Sequence, residues 1–302
     1  MTHLVKLRAM PPESDVAWHE IDRDGTHLVC ADFGGAGHGV LLLHGLAGHA
    51  TEWSQTASWL THGHHVVAPD ARGHGRSARA PRDVSRDAHV ADVAAWIEHI
   101  GNGPVSLVGQ SLGGLTAILV AARHPDLVDR LVVVEATPGP ADEQSTSADA
   151  GETVNSVRRW LESWPVPFAS REAAVAFFGR NDNWARAWAD GLEEREGGLY
   201  PAFDSDVMVE TLNVAGGSYW EEWRSITCPV LVVFAEERDD SEAAHRMVRE
   251  QRNASLVEIP DAGHDLHLDN PSAWRAALVG FLEAARRSVV TDRGAHSSWR
   301  GR

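Results

Sequence analysis

Short apolar runs rich in β-branched residues alternate along this chain with longer stretches whose apolar positions recur at helical spacing. Trp18 to Asp22 and His27 to Phe33 read as two strands around a turn at Asp24-Gly25. Val40 to Leu43, Val66 to Ala68, Val105 to Val108, Leu131 to Val134, Val230 to Phe234 and Leu256 to Ile259 read as buried strands. Short continuous apolar runs of this kind suit a sheet covered on both faces. Between them, Ser54 to Leu60, Ser85 to Ile100, Leu112 to His124, Ser241 to Gln251 and Ser272 to Arg287 are amphipathic and predict helices. Strand-then-helix alternation predicts an α/β fold with a mostly parallel, doubly wound sheet. The first two strands, close in sequence, are expected to form an antiparallel edge.

The alternation stops between about Pro138 and Arg224, where no strand-like run is read. A polar linker, Gly139 to Gly151, opens this stretch. Helical patterns then cover Val154 to Ser163, Arg171 to Phe178, Trp184 to Glu194 and Asp206 to Val214. The expected organisation is a core of residues 1–138 and 225–287 with a helical cap, residues 139–224, inserted over the sheet. Residues 288–302 are polar and aperiodic and read as a disordered tail.

Charge narrows the partners. The 302 residues carry 27 Lys and Arg against 43 Asp and Glu, a net charge of −16. Such a surface repels phosphate backbones and anionic membranes and, more weakly, highly anionic substrates, which leaves a small-molecule substrate as the expected partner. Two cysteines occur, Cys30 and Cys228, and are expected as reduced, buried thiols. No apolar run approaches the ~20 residues that span a bilayer. Met1 to Pro12 lacks the continuous apolar stretch of a signal peptide. The expected location is cytoplasmic, and monomer and homodimer both remain open.

The sharpest chemical signal is Gly109-Gln110-Ser111-Leu112-Gly113-Gly114, a G-x-S-x-G pattern between the strand at Val105 to Val108 and the following helix. A serine in so tight a strand-to-helix turn is lifted above the sheet edge, and small neighbours at Gly109 and Gly113 remove side chains that would clash. The helix beyond points its N-terminus at the site, where free N–H groups favour negative charge.

Four motifs in this order resemble the α/β-hydrolase fold superfamily, on its esterase and lipase-like side. They are His44-Gly45-Leu46-Ala47-Gly48, Asp70-Ala71-Arg72-Gly73-His74-Gly75-Arg76-Ser77, the turn at Ser111, and Gly263-His264. The resemblance covers roughly Trp18 to Arg287. It implies a Ser–acid–His order of triad residues and an oxyanion hole from two backbone amides, Leu112 directly after the nucleophile and Leu46 after His44-Gly45. His44 is expected to hold that loop by hydrogen bonding.

Of 17 histidines, His264 is placed best as the base, in a loop directly after the last strand and on the same sheet edge as Ser111. His267 is its rival but lacks the preceding glycine. The acid is drawn by resemblance from the loop after Val230 to Phe234, which offers Glu236, Glu237, Asp239 and Asp240; the pattern assigns it to Asp239, with Asp240 one residue on. Some relatives take the acid from the end of the preceding strand, where Glu135 stands.

Other features read as structural. His62-Gly63-His64-His65 leads into a strand with its histidines facing opposite ways, so no metal is expected there. The glycines of Gly34 to Gly39 precede a strand and do not link a strand to a helix, so they are no dinucleotide fingerprint. Asp70 to Ser77 is expected to be tied by Arg72 and Ser77. In the cap, Trp160, Trp164, Trp184 and Trp188 form two i,i+4 pairs, joined by Phe178. These rings read mainly as the cap's own core, with a few lining an aromatic pocket over Ser111.

The resulting expectation is a cofactor-independent serine hydrolase for an ester or lactone of a mostly neutral small molecule. A carbon–carbon bond hydrolase or perhydrolase would use the same triad. A low-turnover ligand-binding protein on this fold is the alternative from another class.

Overall fold

Residues 16–101, 103–140, 147–179, 181–236 and 241–295 are described in a computed structural model. The chain starts with β1 (Ala17–Arg23) and β2 (Thr26–Gly34), paired antiparallel around Asp24-Gly25, both at positive φ. It continues through β3 (His38–Leu43), α1 (Ser54–Leu60), β4 (His64–Asp70), α2 (Arg86–Ile100), β5 (Val105–Gln110), α3 (Leu112–Arg123) and β6 (Val128–Val134). The middle section holds α4 (Ser147–Glu162), α5 (Arg171–Phe178), α6 (Asp182–Asp190), the hairpin β7 (Leu192–Arg195) and β8 (Gly198–Pro201), α7 (Ser205–Asn213) and α8 (Trp220–Ser225). The last part is β9 (Val230–Ala235), α9 (Ser241–Glu250), β10 (Ala254–Ile259), α10 (Leu266–Asp269) and α11 (Pro271–Ala295).

Eight strands form one sheet in the order β1-β2-β4-β3-β5-β6-β9-β10. From β4 to β10 every neighbouring pair is parallel, while β2 runs antiparallel to both β1 and β4. Successive residues of a strand face opposite sides, so one apolar run feeds two cores. Leu41, Leu43, Leu107, Leu131, Val133 and Val232 pack under α2, α3, α8 and α9. Val40, Leu42, Val108, Val132, Val134 and Val233 pack under α1 and α11, around Trp53 and Trp274. Each fully buried aliphatic side chain contributes roughly 1.5–3 kcal/mol. Helix ends obey local chemistry: Ser85 caps α2 by accepting from the Ala88 N–H, and Gly101 ends it in the left-handed region.

The middle section differs from its expectation in three ways. The helix read through Glu194 stops at Asp190, and the chain turns into the β7–β8 hairpin. The helical spacing of Trp184 and Trp188 masked it, because Glu193, Glu194 and Arg195 show no alternation of apolar residues. Its turn is made by Glu196 and Gly197, with Gly197 at φ +95°. Second, Trp220 and Trp223, which fall within the expected cap at 139–224, join the core beneath α3 and α9 and not the cluster of Trp164, Trp184 and Trp188. Third, part of the polar linker is helical, since α4 already begins at Ser147, while residues 141–146 lie outside the described residues.

The tail also departs from expectation. α11 runs on to Ala295, so 288–295 are helical although their sequence is aperiodic. A helix once nucleated propagates by backbone bonds alone, without an apolar stripe. Residues 296–302 lie outside the described residues. No helix among the described residues is long and apolar enough to cross a membrane. Both cysteines are free thiols; Cys30 is buried as expected, whereas Cys228 is only partly buried, and desolvation raises the pKa of both, that of Cys228 to about 11.

Candidate active site

Ser111 sits between β5 and α3 at φ +51° and ψ −114°, a strained conformation for a side-chain-bearing residue. Strain of this kind costs about 1–3 kcal/mol and persists only where the surroundings enforce it. They do so through absent side chains. A Cβ on Gly113 would lie 2.5 Å from the Leu43 carbonyl oxygen, and one on Gly109 would lie 2.2 Å from that of Gly113. The Ser111 N–H is tied to the Val134 carbonyl at 2.9 Å, which anchors the turn to β6. Leu112 opens α3, so its N–H has no carbonyl one turn earlier in the helix to bond.

The loop of His44 to Gly48 presses against this turn. A Cβ on Gly45 would meet Gln110 Oε1 at 2.2 Å and Ser111 Cβ at 3.4 Å. His44 is buried; its Nδ1–H donates to the Gly45 carbonyl at 2.7 Å, and its Nε2 accepts from the Ala71 N–H at 3.0 Å. Both ring nitrogens are thereby committed to holding the loop that presents the Leu46 amide. The Asp70 to Ser77 segment is tied as expected. Asp70 accepts from the Ala50 and Arg76 N–H groups at 2.7 and 2.9 Å. Arg72 grips Asp92 through Nε and Nη2, both at 2.6 Å.

His264 follows β10, and Gln110, the residue before Ser111, donates from Nε2 to its carbonyl oxygen at 2.9 Å. The histidine loop therefore lies beside the Ser111 turn. His264 Nδ1 is 3.2 Å from Glu135 Oε2. Glu135 directly follows β6 at φ +52°; its side chain is 0% exposed, and its Oε1 accepts from the Ala235 N–H at 2.6 Å. A buried carboxylate with a backbone donor on one oxygen and an imidazole at the other is equipped to orient that ring. Asp239 and Asp240 lie outside the described residues. His267 faces away from this role: it stacks on Trp53 at 4.2 Å and lies 3.5 Å from Glu52 Oε1.

The middle section of the chain meets the site through α6. Trp184 Nε1 donates to Asp265, next to His264, at 2.6 Å, and Asn181 Nδ2 donates to Asp269 at 2.9 Å. The His49 Nε2–H donates to the Ala187 carbonyl at 2.8 Å, joining α6 to the other side of the site. Trp188 lies alongside Gly48, His49 and Leu268. Trp164 and Phe178 are buried in a third apolar cluster, their rings 4.9 Å apart edge to face, and Trp160 packs on Trp164 and Trp188 from a more exposed position. Leu46 and Ala47 pack against the same cluster. Sequence reasoning passed over Gln110, Asp265 and Asp269. Gln110 lies inside the G-x-S-x-G motif and Asp265 beside His264, so adjacency was the signal available for both.

Ser111, Leu112, the Leu46 loop, Glu135 and His264 thus gather where β3, β5, β6 and β10 end. Residues 40–278 match the alpha/beta hydrolase family, and the chain belongs to it. It is 27% identical over 257 residues to 2-(acetamidomethylene)succinate hydrolase of Mesorhizobium japonicum, covering 83% of this chain and 90% of that one. It is 28% identical over 282 residues to a non-heme haloperoxidase of Rhodococcus erythropolis, covering 86% and 97%. The crystal structure of an E-2-(acetamidomethylene)succinate hydrolase superposes with a TM-score of 0.79 at 24% identity, over 89% of this chain and 99% of that one, a likeness of fold.

Proposed function

We propose that this protein is a serine hydrolase that cleaves a carboxylic ester or lactone of a small molecule through an acyl-enzyme on Ser111. The observation that carries the reading is the strained Ser111 turn, packed against the Gly45 loop and bonded through Gln110 to the loop of His264. His264 Nε2 takes the Ser111 Oγ proton as that oxygen attacks the substrate carbonyl. Glu135 holds the opposite ring nitrogen and stabilises the imidazolium that forms. The Leu46 and Leu112 amides receive the oxyanion, each worth roughly 3 kcal/mol of transition-state stabilisation. His264 then protonates the leaving oxygen, and water activated by the same ring cleaves the acyl-enzyme.

Glu135 takes the acid's role in this scheme because of its contact with His264 Nδ1. Trp184 and Trp188, on the helix that meets both active-site loops, are the cap rings assigned to substrate; Trp160, Trp164 and Phe178 support them. The scheme uses no cofactor, and it belongs to a cytoplasmic monomer or homodimer with residues 139–224 as its cap.

Fluorophosphonate labelling tests the reading. Activity on a p-nitrophenyl ester should fall in step with labelling of Ser111, and Ser111→Ala should abolish both. A binding protein on the same fold would retain ligand affinity in Ser111→Ala and release no burst of alcohol. Similarity to a haloperoxidase keeps perhydrolysis as a second reading, favoured if peroxide competes with water for the acyl-enzyme.

A further inference from the structure

The loop that carries His264 is not held by burial. Ile259 before it and Leu266 to Leu268 after it are buried, but none of residues 261–265 is, and the His264 side chain is half-exposed. A segment with so few buried contacts takes its position from hydrogen bonds. Gln110 supplies one at the His264 carbonyl and Asn270 Nδ2 another at the Pro260 carbonyl, 2.9 Å in each case. Further ties run through two carboxylates, Asp265, which precedes α10, and Asp269, which ends it.

The two carboxylates share one arrangement: one oxygen faces α6, and the other faces the loop of Ser111 or of His264. Asp265 Oδ2 accepts from Trp184 Nε1 at 2.6 Å, and its Oδ1 accepts a longer bond, 3.4 Å, from Nε2 of Gln110, the residue before Ser111. Asp269 Oδ1 accepts from Asn181 Nδ2 at 2.9 Å, and its Oδ2 accepts at 2.8 Å from the N–H of Gly263, the residue before His264. Asn181 is itself fixed, because its Oδ1 accepts from the Trp184 N–H and caps α6. One amide side chain thus starts that helix and grips the loop of His264.

α6 is tied on the opposite side of Ser111 as well. The Ala187 carbonyl accepts from the His49 Nε2–H, and Gly191, just past the helix, comes so close that a Cβ there would lie 2.6 Å from the His49 ring. His49 directly follows the His44 to Gly48 loop, and its N–H donates to Glu52 Oε2 at 3.2 Å. One short helix therefore bonds to both loops that flank the nucleophile.

We propose that Asn181 and Asp269 are positioning residues for the base: Asn181 on the seated α6 holds Asp269, Asp269 holds the Gly263 amide, and the His264 ring is thereby kept within reach of Ser111. This rests on the serine-hydrolase reading, and it makes α6 a working part of the reaction as well as a wall over the substrate. Proton transfer needs heavy atoms about 2.6–3.2 Å apart, and a displacement of about 1 Å can cost roughly 100-fold in rate, so a brace on this loop acts on kcat. Trp184 and Asp265 form a parallel bridge to Gln110.

Exchanging the two side chains tests the bridge. Asn181→Asp keeps an oxygen to cap α6, since Asp caps as well as Asn, but sets a second carboxylate against Asp269. Asp269→Asn leaves a single acceptor oxygen for two donors. In the combined variant, position 269 donates to position 181 and still accepts from the Gly263 N–H. On a p-nitrophenyl ester, kcat should fall roughly 10-fold in each single variant while KM moves less than about threefold, and the combined variant should return to within about threefold of the wild type. A combined loss equal to the product of the single losses, or a rise in KM at constant kcat, overturns the proposal. Should Asn181→Asp not fold, Asn181→Ser keeps the capping oxygen, removes the donor without a new charge and should show the same fall in kcat. A second arm needs no turnover: deuterium exchange at the backbone amides of 263–265 should quicken in Asn181→Asp and slow again in the combined variant. If no protein, wild type included, cleaves the ester or takes a fluorophosphonate label, yet exchange follows this pattern, the bridge stands and the hydrolase reading falls. If the wild type cleaves the ester and the single variants match it in kcat and in exchange, the bridge falls alone.

Discussion

The Glu135 carboxylate lies 3.2 Å from the His264 ring, joining residues 129 positions apart, and it is fully buried where the ring is half-exposed. An orienting carboxylate works by fixing the tautomer of its histidine, and its amide replacement leaves the ring wrongly protonated. Glu135→Gln should therefore lower kcat by roughly 10³- to 10⁴-fold with the fold intact by circular dichroism. Asp239→Asn should cost far less. Steady-state kinetics on both variants decide the matter, and the reverse ranking would move the acid's role to Asp239.

Gln110 ties the Ser111 turn to the histidine loop through its 2.9 Å bond to the His264 carbonyl. Gln110→Leu keeps the volume and removes the donor. A bond of this kind contributes about 1 kcal/mol, so kcat should fall several-fold to ten-fold while KM changes little. A rise in KM at constant kcat would show that the bond shapes substrate binding and not the base.

Trp184 anchors α6 to Asp265 with a bond to a carboxylate, the stronger kind at about 1.5–3 kcal/mol. Trp184→Phe retains the ring packing against Trp188 and Phe178 and loses that bond. Its Tm should drop by several degrees, and KM should rise more than kcat falls. Calorimetry with parallel kinetics would detect this, and an unchanged Tm would mean that the cap is held without it.

His74 makes stability depend on pH. Its folded value of about 3 lies well below the ordinary 6.5, because burial and then His44 disfavour the charged ring. Between those values the unfolded chain binds a proton that the folded chain refuses. Stability is therefore full above about pH 7 and declines as pH falls, by at most roughly 1.4 kcal/mol per pH unit from this group. His89 is lowered in the same sense, mainly by burial. Urea midpoints from pH 7 to 4 should show the decline, and His74→Gln should make it shallower. An equally steep decline in the variant would place its source elsewhere.

Most of the framework was legible before any coordinates because it is encoded locally. Successive residues in Val40 to Leu43 and Val105 to Val108 serve opposite faces of one sheet, and the short continuous apolar run this requires is visible in the bare sequence. The Ser111 turn is legible for the same reason, since Gly109 and Gly113, two residues to either side, provide the space it needs. The Leu112 amide and the position of His264 after the last strand follow from neighbours only a few residues away.

Tertiary structure decided what depends on distance across the chain. Glu135, one of the carboxylates the sequence offered beside Asp239 and Asp240, reaches His264 because β6 lies beside β9 and both end near the histidine loop. The β7–β8 hairpin escaped notice because its pairing, not its apolar pattern, defines it. The burial of Arg86 is equally a matter of packing: α2 laid on α3 covers its side chain, while Asp87 and Asp92 bind other arginines. Local chemistry sets which conformations a segment prefers; whether a charge or a ring finds its partner is settled by packing, which no short stretch of sequence contains.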